Sequence, residues 1–239
     1  MTSITNSSIK WVALVILCLV MGLSVEAQND KFKPQFKVGV GGGPVYTTVD
    51  FVSKIPQTTS NGLSGGVSAK YISEKHLGLI VELNFTQRGW TEDFSEPPYN
   101  PDFSYSRTLN YIELPLLTHV YFGNKVRFVL NIGPQVSYML GSKGNMNDAL
   151  ADALDDLKSK DPDNPIGNQY EPLDSKFDYG LLGGAGFEFV TSVGSFQLEG
   201  RYYFGLGDSF DSSRKKVGNF SRSAHRYIGG KLTYYFLSY

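Results

Sequence analysis

Apolar and polar residues alternate along eight segments of the chain. The clearest is 77–85, in which Leu77, Leu79, Val81 and Leu83 are separated by Gly, Ile and Glu residues. The other segments are 36–46, 63–72, 111–122, 128–140, 179–189, 196–204 and 228–236, of which the first two are rich in glycine and less regular. A period of two is typical of β-strands whose two faces meet different surroundings.

The charged residues of these segments lie at positions of the parity opposite to the apolar face. They are Lys37, Lys70, Glu82, Arg88, Glu113, Arg127, Asp178, Glu188, Glu199, Arg201 and Lys231. Each predicted strand therefore has one apolar face and one face that carries the ionisable groups. A soluble β-sandwich would share this two-faced pattern, so parity alone does not place the strands in a membrane.

The connections between the predicted strands alternate in length. Long gaps rich in Pro, Ser, Asn and Asp fall near 47–62, 89–108, 141–176 and 206–224, and short gaps fall near 73–76, 123–125 and 191–195. Membrane barrels have long outer loops and short periplasmic turns, whereas lipocalin-like soluble barrels lack this asymmetry. The sequence predicts an all-β fold, an eight-stranded antiparallel up-and-down transmembrane β-barrel with long extracellular loops and short periplasmic turns.

The first residues are typical of an export signal. Lys10 precedes an apolar run over 11–25, and the small residue Ala27 follows Glu26. A run of 15 residues is short for a membrane-spanning helix. We therefore predict a cleaved signal peptide over 1–27 and an outer-membrane β-barrel domain over 28–239, which would lack Cys18 and with it any thiol chemistry.

Composition narrows the function classes further. Of the 239 residues, 41% are hydrophobic and 14% aromatic, which argues against a disordered chain. A net charge of -1 offers no basic surface for nucleic acid. The predicted partners are outer-membrane lipid and envelope or secretion-machinery proteins, with no nucleic acid.

Five charged residues fall near the middle of predicted strands, on the inward face: Glu82, Glu113, Glu199, Arg201 and Lys231. The interior of an eight-stranded barrel is just wide enough for side chains to fill it, and an unpaired charge there is costly. We predict a static network of ion pairs, with a gated ion path or switchable plug as the alternative. Replacing Glu113 with Ala is then expected to cost about 3–5 kcal/mol.

Other features favour structural roles over chemical ones. Pro115 and Pro134 each remove a hydrogen-bond donor from a strand, which predicts a bulge or bend, with a lateral opening as the alternative. Asn147 is placed to cap a short helix with Leu150, Ala153, Leu154 and Leu157 on one face, packed over the barrel mouth.

Catalysis and metal binding receive little support. His225 is the one histidine expected at the outer rim, where Ser223 and Asp208 are near in sequence, but no nucleophile motif surrounds it. The loop acids over 148–163 lack the Gly and Glu of a calcium loop. We predict no enzyme, no cofactor and no metal site.

Several short motifs resemble the PorT-type outer-membrane β-barrel family of Bacteroidota. They are Tyr111-Ile112-Glu113-Leu114-Pro115-Leu116-Leu117, Asn131-Ile132-Gly133-Pro134, Asp178-Tyr179-Gly180, Gly184-Ala185-Gly186-Phe187-Glu188 and Arg201-Tyr202-Tyr203-Phe204-Gly205-Leu206. The resemblance implies an outer-membrane barrel, and its namesake branch is associated with type IX protein secretion and gliding motility. The expected function is a non-enzymatic structural or accessory component of the cell envelope; the alternative is a narrow pore or a surface receptor for small solutes.

Overall fold

A computed structural model of the chain describes residues 32–52, 54–161, 168–210 and 221–236. The predicted signal peptide over 1–27, with Lys10 and Cys18, lies outside these residues. The strands are β1 (Gln35–Val52), β2 (Gln57–Thr58), β3 (Ser60–Glu74), β4 (Leu77–Glu92), β5 (Tyr105–Gly123), β6 (Val126–Met146), β7 (Phe177–Thr191), β8 (Gly194–Gly205) and β9 (Arg222–Tyr235). Helix α1 spans Asp148–Lys160, and a single 3₁₀ turn spans Asn168–Tyr170.

The eight long strands form a closed antiparallel barrel. Each pairs with its neighbours in sequence, and β1 closes the ring by pairing with β9 from Gly39↔Tyr235 to Val52↔Arg222. The two-residue strand β2 adds to the end of β4 through the pair Gln57↔Glu92. Among the described residues, closure gives each of the eight long strands a partner on both sides, which a strand surrounded by lipid requires. The prediction of an eight-stranded up-and-down barrel is confirmed.

The two ends of the barrel differ. Two-residue connections at 75–76, 124–125 and 192–193 define the turn end. Gly123, which opens the second turn, has a φ of 107°, a left-handed conformation that suits a residue without Cβ. The connections 53–59, 93–104, 147–176 and 206–221 define the loop end.

The strands run further toward the loop end than the apolar pattern predicts. β4 continues to Glu92 and pairs Trp90 with Arg107 of β5, so the gap predicted near 89–108 shrinks to 93–104. The gaps predicted near 47–62 and 141–176 are likewise shorter in the structure, at 53–59 and 147–176. Backbone pairing continues after the outward side chains have ceased to be apolar, so alternation underestimates strand length.

The outward face is apolar and the inward face polar. In β4, the side chains Leu77, Val81, Leu83 and Phe85 are exposed on the barrel surface, while Glu82 is buried inside. The nine residues from Leu77 to Phe85 match the 9–11 residues with which a tilted strand crosses a bilayer. Outward aromatic residues include Phe36, Tyr71, Phe122, Phe128, Phe187, Phe189 and Phe196 toward the turn end, and Tyr46, Phe85, Tyr138, Phe177, Tyr179 and Phe204 toward the loop end. These two belts resemble the aromatic girdles of membrane barrels.

Of the bulge or bend predicted at Pro115 and Pro134, the strand registers show no bulge. The pairing of β5 with β6 keeps one register from Pro115↔Gln135 to Thr118↔Ile132, and Pro134 pairs with Leu181 of β7 without a shift. The register of the β5–β6 pair shifts instead between Asn110 and Tyr111. A missing proline donor interrupts individual ladder bonds, but the neighbouring bonds hold the register.

Helix α1 forms as predicted. Asn147 caps it by accepting a hydrogen bond from the Leu150 backbone N–H, and Leu150 is buried. Among the residues that the structure describes, no helix has the length and apolarity needed to span a membrane.

Candidate functional site

Polar side chains fill the barrel interior in successive layers. Near the turn end, Glu188 lies 3.1 Å from Lys70 Nζ, 3.8 Å from Lys37 Nζ and 3.5 Å from Arg127 Nη1. Lys70 also donates to Gln197. We call the four charged residues Lys37, Lys70, Arg127 and Glu188 the turn-end cluster.

Four of the five predicted network residues meet at the middle of the barrel. Arg201 donates to both carboxylate oxygens of Glu82 at 2.8 and 2.9 Å and to Glu199 at 2.7 Å. Lys231 Nζ donates to Glu82 at 2.8 Å and to Asn84 at 2.9 Å. Glu82, Glu199, Arg201 and Lys231 form the central cluster.

The fifth predicted residue, Glu113, belongs to a different group. Arg88 Nε donates to Glu113 at 2.8 Å, and Arg88 Nη1 donates to Asp178 at 2.5 Å. The guanidinium carbon of Arg88 lies 4.5 Å from the ring centroid of Tyr203 and 4.7 Å from that of Tyr111. We call Arg88, Glu113 and Asp178 the loop-side cluster.

The predicted network of five mid-strand residues therefore omits most of the charged residues that pair inside the barrel. Arg88, Asp178, Glu188 and Lys70 are as deeply buried as the five predicted residues. All four were visible as inward charges by parity, but their distance from mid-strand excluded them. Strand stagger brings residues from different strand positions to one level, so distance from mid-strand is a poor guide to which charges meet.

The buried charges balance. Among the described residues, the buried basic side chains are Lys37, Lys70, Arg88, Arg107, Arg201 and Lys231, and the buried acidic ones are Glu82, Glu92, Glu113, Asp178, Glu188 and Glu199. Six face six. A dry interior tolerates this density of charge because ten of these twelve ions are paired with an opposite charge. The other two, Arg107 and Glu92, are hydrogen-bonded to uncharged groups.

An apolar cluster covers the loop-side cluster. Its buried members are Val49, Phe51, Trp90, Phe94, Tyr105, Leu109, Tyr111, Met139, Leu150 and Phe210. Trp90 packs edge-on against Phe51 with ring centroids 5.4 Å apart. Helix α1 joins this cluster through Leu150, so the helix packs over the barrel mouth.

His225 lies at the loop end with a serine hydroxyl on one ring nitrogen, but among the described residues no acid contacts the other ring nitrogen. Its Nε2 lies 3.1 Å from Ser209 Oγ and 3.3 Å from the Tyr111 hydroxyl, and its Nδ1 has no hydrogen-bond partner among the described residues. Ser223 accepts from the Phe210 backbone N–H, and Asp208 accepts from the Ser223 backbone N–H. These bonds order the local backbone and leave Ser223 and His225 unpaired with each other.

The other histidines and the loop acids show no metal-binding arrangement within the described ranges. His76 lies in the turn between β3 and β4, and His119 Nδ1 lies 2.7 Å from Asn131 Oδ1 inside the barrel. Across the described part of the chain, no three His, Cys, Asp or Glu side chains converge on a point that could hold a metal ion.

The outer surface of the barrel is apolar, its interior is filled with polar side chains, and its long loops all lie at one end. These features define an outer-membrane β-barrel protein. The chain belongs to the family described as outer membrane protein beta-barrel domain, whose model matches residues 26–211. No curated protein sequence matches it.

The chain is also similar to several solved structures. Ail, the attachment invasion locus protein of Yersinia pestis, in complex with the heparin analogue sucrose octasulfate, is 12% identical over 86% of this chain and 100% of its own, with a TM-score of 0.40. Neisserial surface protein A is 12% identical over 86% of this chain and 99% of its own, with a TM-score of 0.43. OprG from Pseudomonas aeruginosa is 9% identical over 84% and 96%, with a TM-score of 0.46.

Proposed function

We propose that this outer-membrane barrel is a non-enzymatic, non-conducting accessory component of an envelope assembly. The observation that carries the proposal is the filled interior. Three ion-pair clusters and an apolar layer succeed one another from the turn end to the loop end. Side chains held in this way occupy the space through which a solute would have to pass.

The pairing also opposes gating. An ion that crossed the barrel would have to separate Arg201 from Glu82 and Arg88 from Glu113, and each separation leaves a buried charge without its partner. A static core is therefore a better fit than the narrow pore that the sequence left as the alternative.

The resemblance of the short motifs to the PorT-type family supports a protein-secretion assembly, the type IX system, as the first one to test. The loop end and the apolar outer surface are the parts of this barrel that other envelope proteins could contact. The barrel would then act as a rigid membrane anchor for its partners.

Affinity purification tests the accessory role. The tagged barrel is extracted gently from outer membranes, and the proteins that accompany it are identified and quantified. We expect envelope or secretion proteins in stoichiometric amounts. The control is another eight-stranded barrel from the same membrane with the same tag, which should not retain them.

Planar-bilayer recording tests the closed interior. The reconstituted barrel should show no discrete conductance steps at voltages at which a porin in the same membrane conducts. A barrel that purifies alone and conducts in discrete steps would replace the accessory role with the pore.

A further inference from the structure

A cavity of about 350 Å³ lies at the loop end, beneath helix α1. Its apolar walls include Ile55, Phe94, Phe103, Leu150, Leu154 and Leu157. Small-molecule sites in proteins start at about 300 Å³ and combine apolar walls with a few placed polar groups. The volume suits a ligand the size of one substituted aromatic ring.

One buried carboxylate faces this cavity. Glu92 is 8% exposed and lines the cavity at the end of β4, beyond the apolar lipid-facing band. The Tyr170 hydroxyl donates to its Oε2 at 2.9 Å. Its Oε1 is buried and has no hydrogen-bond partner among the described residues. A buried acceptor of this kind is costly unless a hydrogen-bond donor satisfies it.

Arg107, a neighbouring cation, forms its hydrogen bonds with groups other than Glu92. Arg107 donates to the backbone carbonyls of Glu171 at 2.7 Å and Tyr170 at 2.9 Å. Within the described ranges Glu92 takes part in no ion pair, which distinguishes it from the other five buried acids. Glu92 is thus a buried acid next to an apolar cavity, without a counter-ion of its own.

We propose that this cavity binds a small amphiphilic cation, in which a primary ammonium group pairs with Glu92 Oε1 and a short aromatic or aliphatic body fills the space between α1 and Phe94. The ammonium supplies the hydrogen-bond donor that Oε1 lacks and forms with Glu92 the ion pair that Arg107 does not form. The apolar body contributes the burial of its own surface. This ligand site is independent of the accessory role proposed above.

The charges around Glu92 set the expected pH dependence. Burial raises the pKa of Glu92 to about 7, and the Tyr170 hydroxyl, the side chains of Gln169 and Trp90, and the charge of Arg107 partly oppose this shift. Tyr105 also faces Glu92, and Lys54 and Asp93 line the same cavity. A bound cation requires the ionised carboxylate, so affinity for the cation should rise as the pH increases through about 7.

The test uses the full mature barrel in lipid nanodiscs with labelled Leu and Ile methyl groups. The probe is 2-phenylethylamine, and its uncharged counterpart is 2-phenylethanol. We expect saturable shifts of the Leu150 and Leu154 methyl signals with the amine. Glu92→Gln should weaken amine binding at least tenfold and leave the alcohol unchanged. Glu96→Gln, at an exposed position of the connection 93–104 that follows β4, should leave both unchanged.

A second variant keeps the proposal open to refutation if Glu92→Gln disturbs folding. Leu154→Phe narrows the cavity and leaves Glu92 in place, so it should abolish the binding of both probes. The proposal is overturned if wild-type protein shows no saturable shifts, if the alcohol binds as tightly as the amine at pH 8, or if either variant binds the amine as wild type does.

Discussion

Glu82 is the side chain on which two cations of neighbouring strands converge. Replacing Glu82 with Ala leaves Arg201 with Glu199 alone and Lys231 with a neutral amide. Because a buried charge that loses its partner is strongly destabilising, the substitution should lower the free energy of unfolding by about 3–5 kcal/mol. Glu113→Ala removes one of the two carboxylates that pair with Arg88, so it should destabilise the barrel by a similar amount. Urea unfolding in lipid vesicles measures both.

The matched control for these substitutions is Glu96→Ala. Glu96 is exposed and lies in the connection 93–104, so its side chain should contribute less than about 0.5 kcal/mol. If Glu82→Ala and Glu113→Ala unfold at the same urea concentration as wild type, the ion pairs do not hold the barrel together.

Glu92 should make the loop end less stable as the pH rises. Its pKa in the folded protein is about 7, against 4.5 for an unburied glutamate, so the folded state retains a proton that the unfolded chain has already lost. The stability linked to that proton is fully present below pH 4.5 and is lost as the pH increases through about 7. The loss amounts to at most about 3 kcal/mol.

Hydrogen exchange of the α1 amides at pH 5 and pH 8, corrected for the intrinsic rate, measures this change. We expect lower protection at pH 8 in wild type and no such step in Glu92→Gln, which cannot ionise. A step of equal size in the variant would assign the pH dependence to another group.

At the scale of elements, Asn147 connects α1 to the connection between β4 and β5. Its Oδ1 accepts from the backbone N–H of Leu150 at 3.3 Å and of Ser104 at 3.1 Å, and its Nδ2 donates to the Asp102 carbonyl at 2.6 Å. Asn147→Ala should cost about 1–2 kcal/mol of local stability, because it removes the cap and both links.

Exchange of the α1 amides reports the loss, and Asp152→Ala provides the control. Asp152 is an exposed residue of the same helix with no capping role. Protection should fall in Asn147→Ala and stay near wild type in Asp152→Ala, while β4 and β5 remain protected in both. Equal protection in wild type and Asn147→Ala would show that packing by Leu150 alone fixes the helix.

Alternation located every strand of the barrel but misplaced the strand ends nearest the loops. The pattern records which side chains meet lipid, so it ends near Phe85 in β4, where the apolar outward band ends. Pairing continues to Thr91↔Ser106, with the inward residues Trp90 and Arg107 packed under the loops. Glu92 therefore fell in a predicted loop, and no signal in the sequence marked it as a buried acid.

For the whole molecule, parity placed the charges inside and could not say which of them meet. Lys70 and Glu188 are separated by 118 positions in sequence, and Arg201 and Glu82 by 119. Their contact depends on the stagger of all the intervening strands, which alternation does not encode. The sequence could predict a paired interior; the assignment of partners required the closed barrel.

The orientation of the barrel in the membrane is the remaining property of the whole molecule, and proteolysis of intact cells measures it. If the loop end faces outward, trypsin should cut in the connection 147–176, where the exposed residues Lys158 and Lys160 lie, and spare Lys125 in the turn 124–125. Permeabilised cells, in which both ends are accessible, are the control for cleavage at Lys125. If trypsin cuts at Lys125 in intact cells but spares Lys158 and Lys160, the barrel has the opposite orientation. The Glu92 cavity then lies on the periplasmic side. Cutting at both sites would contradict the membrane-spanning arrangement itself, because a bilayer-embedded barrel exposes one end to each side.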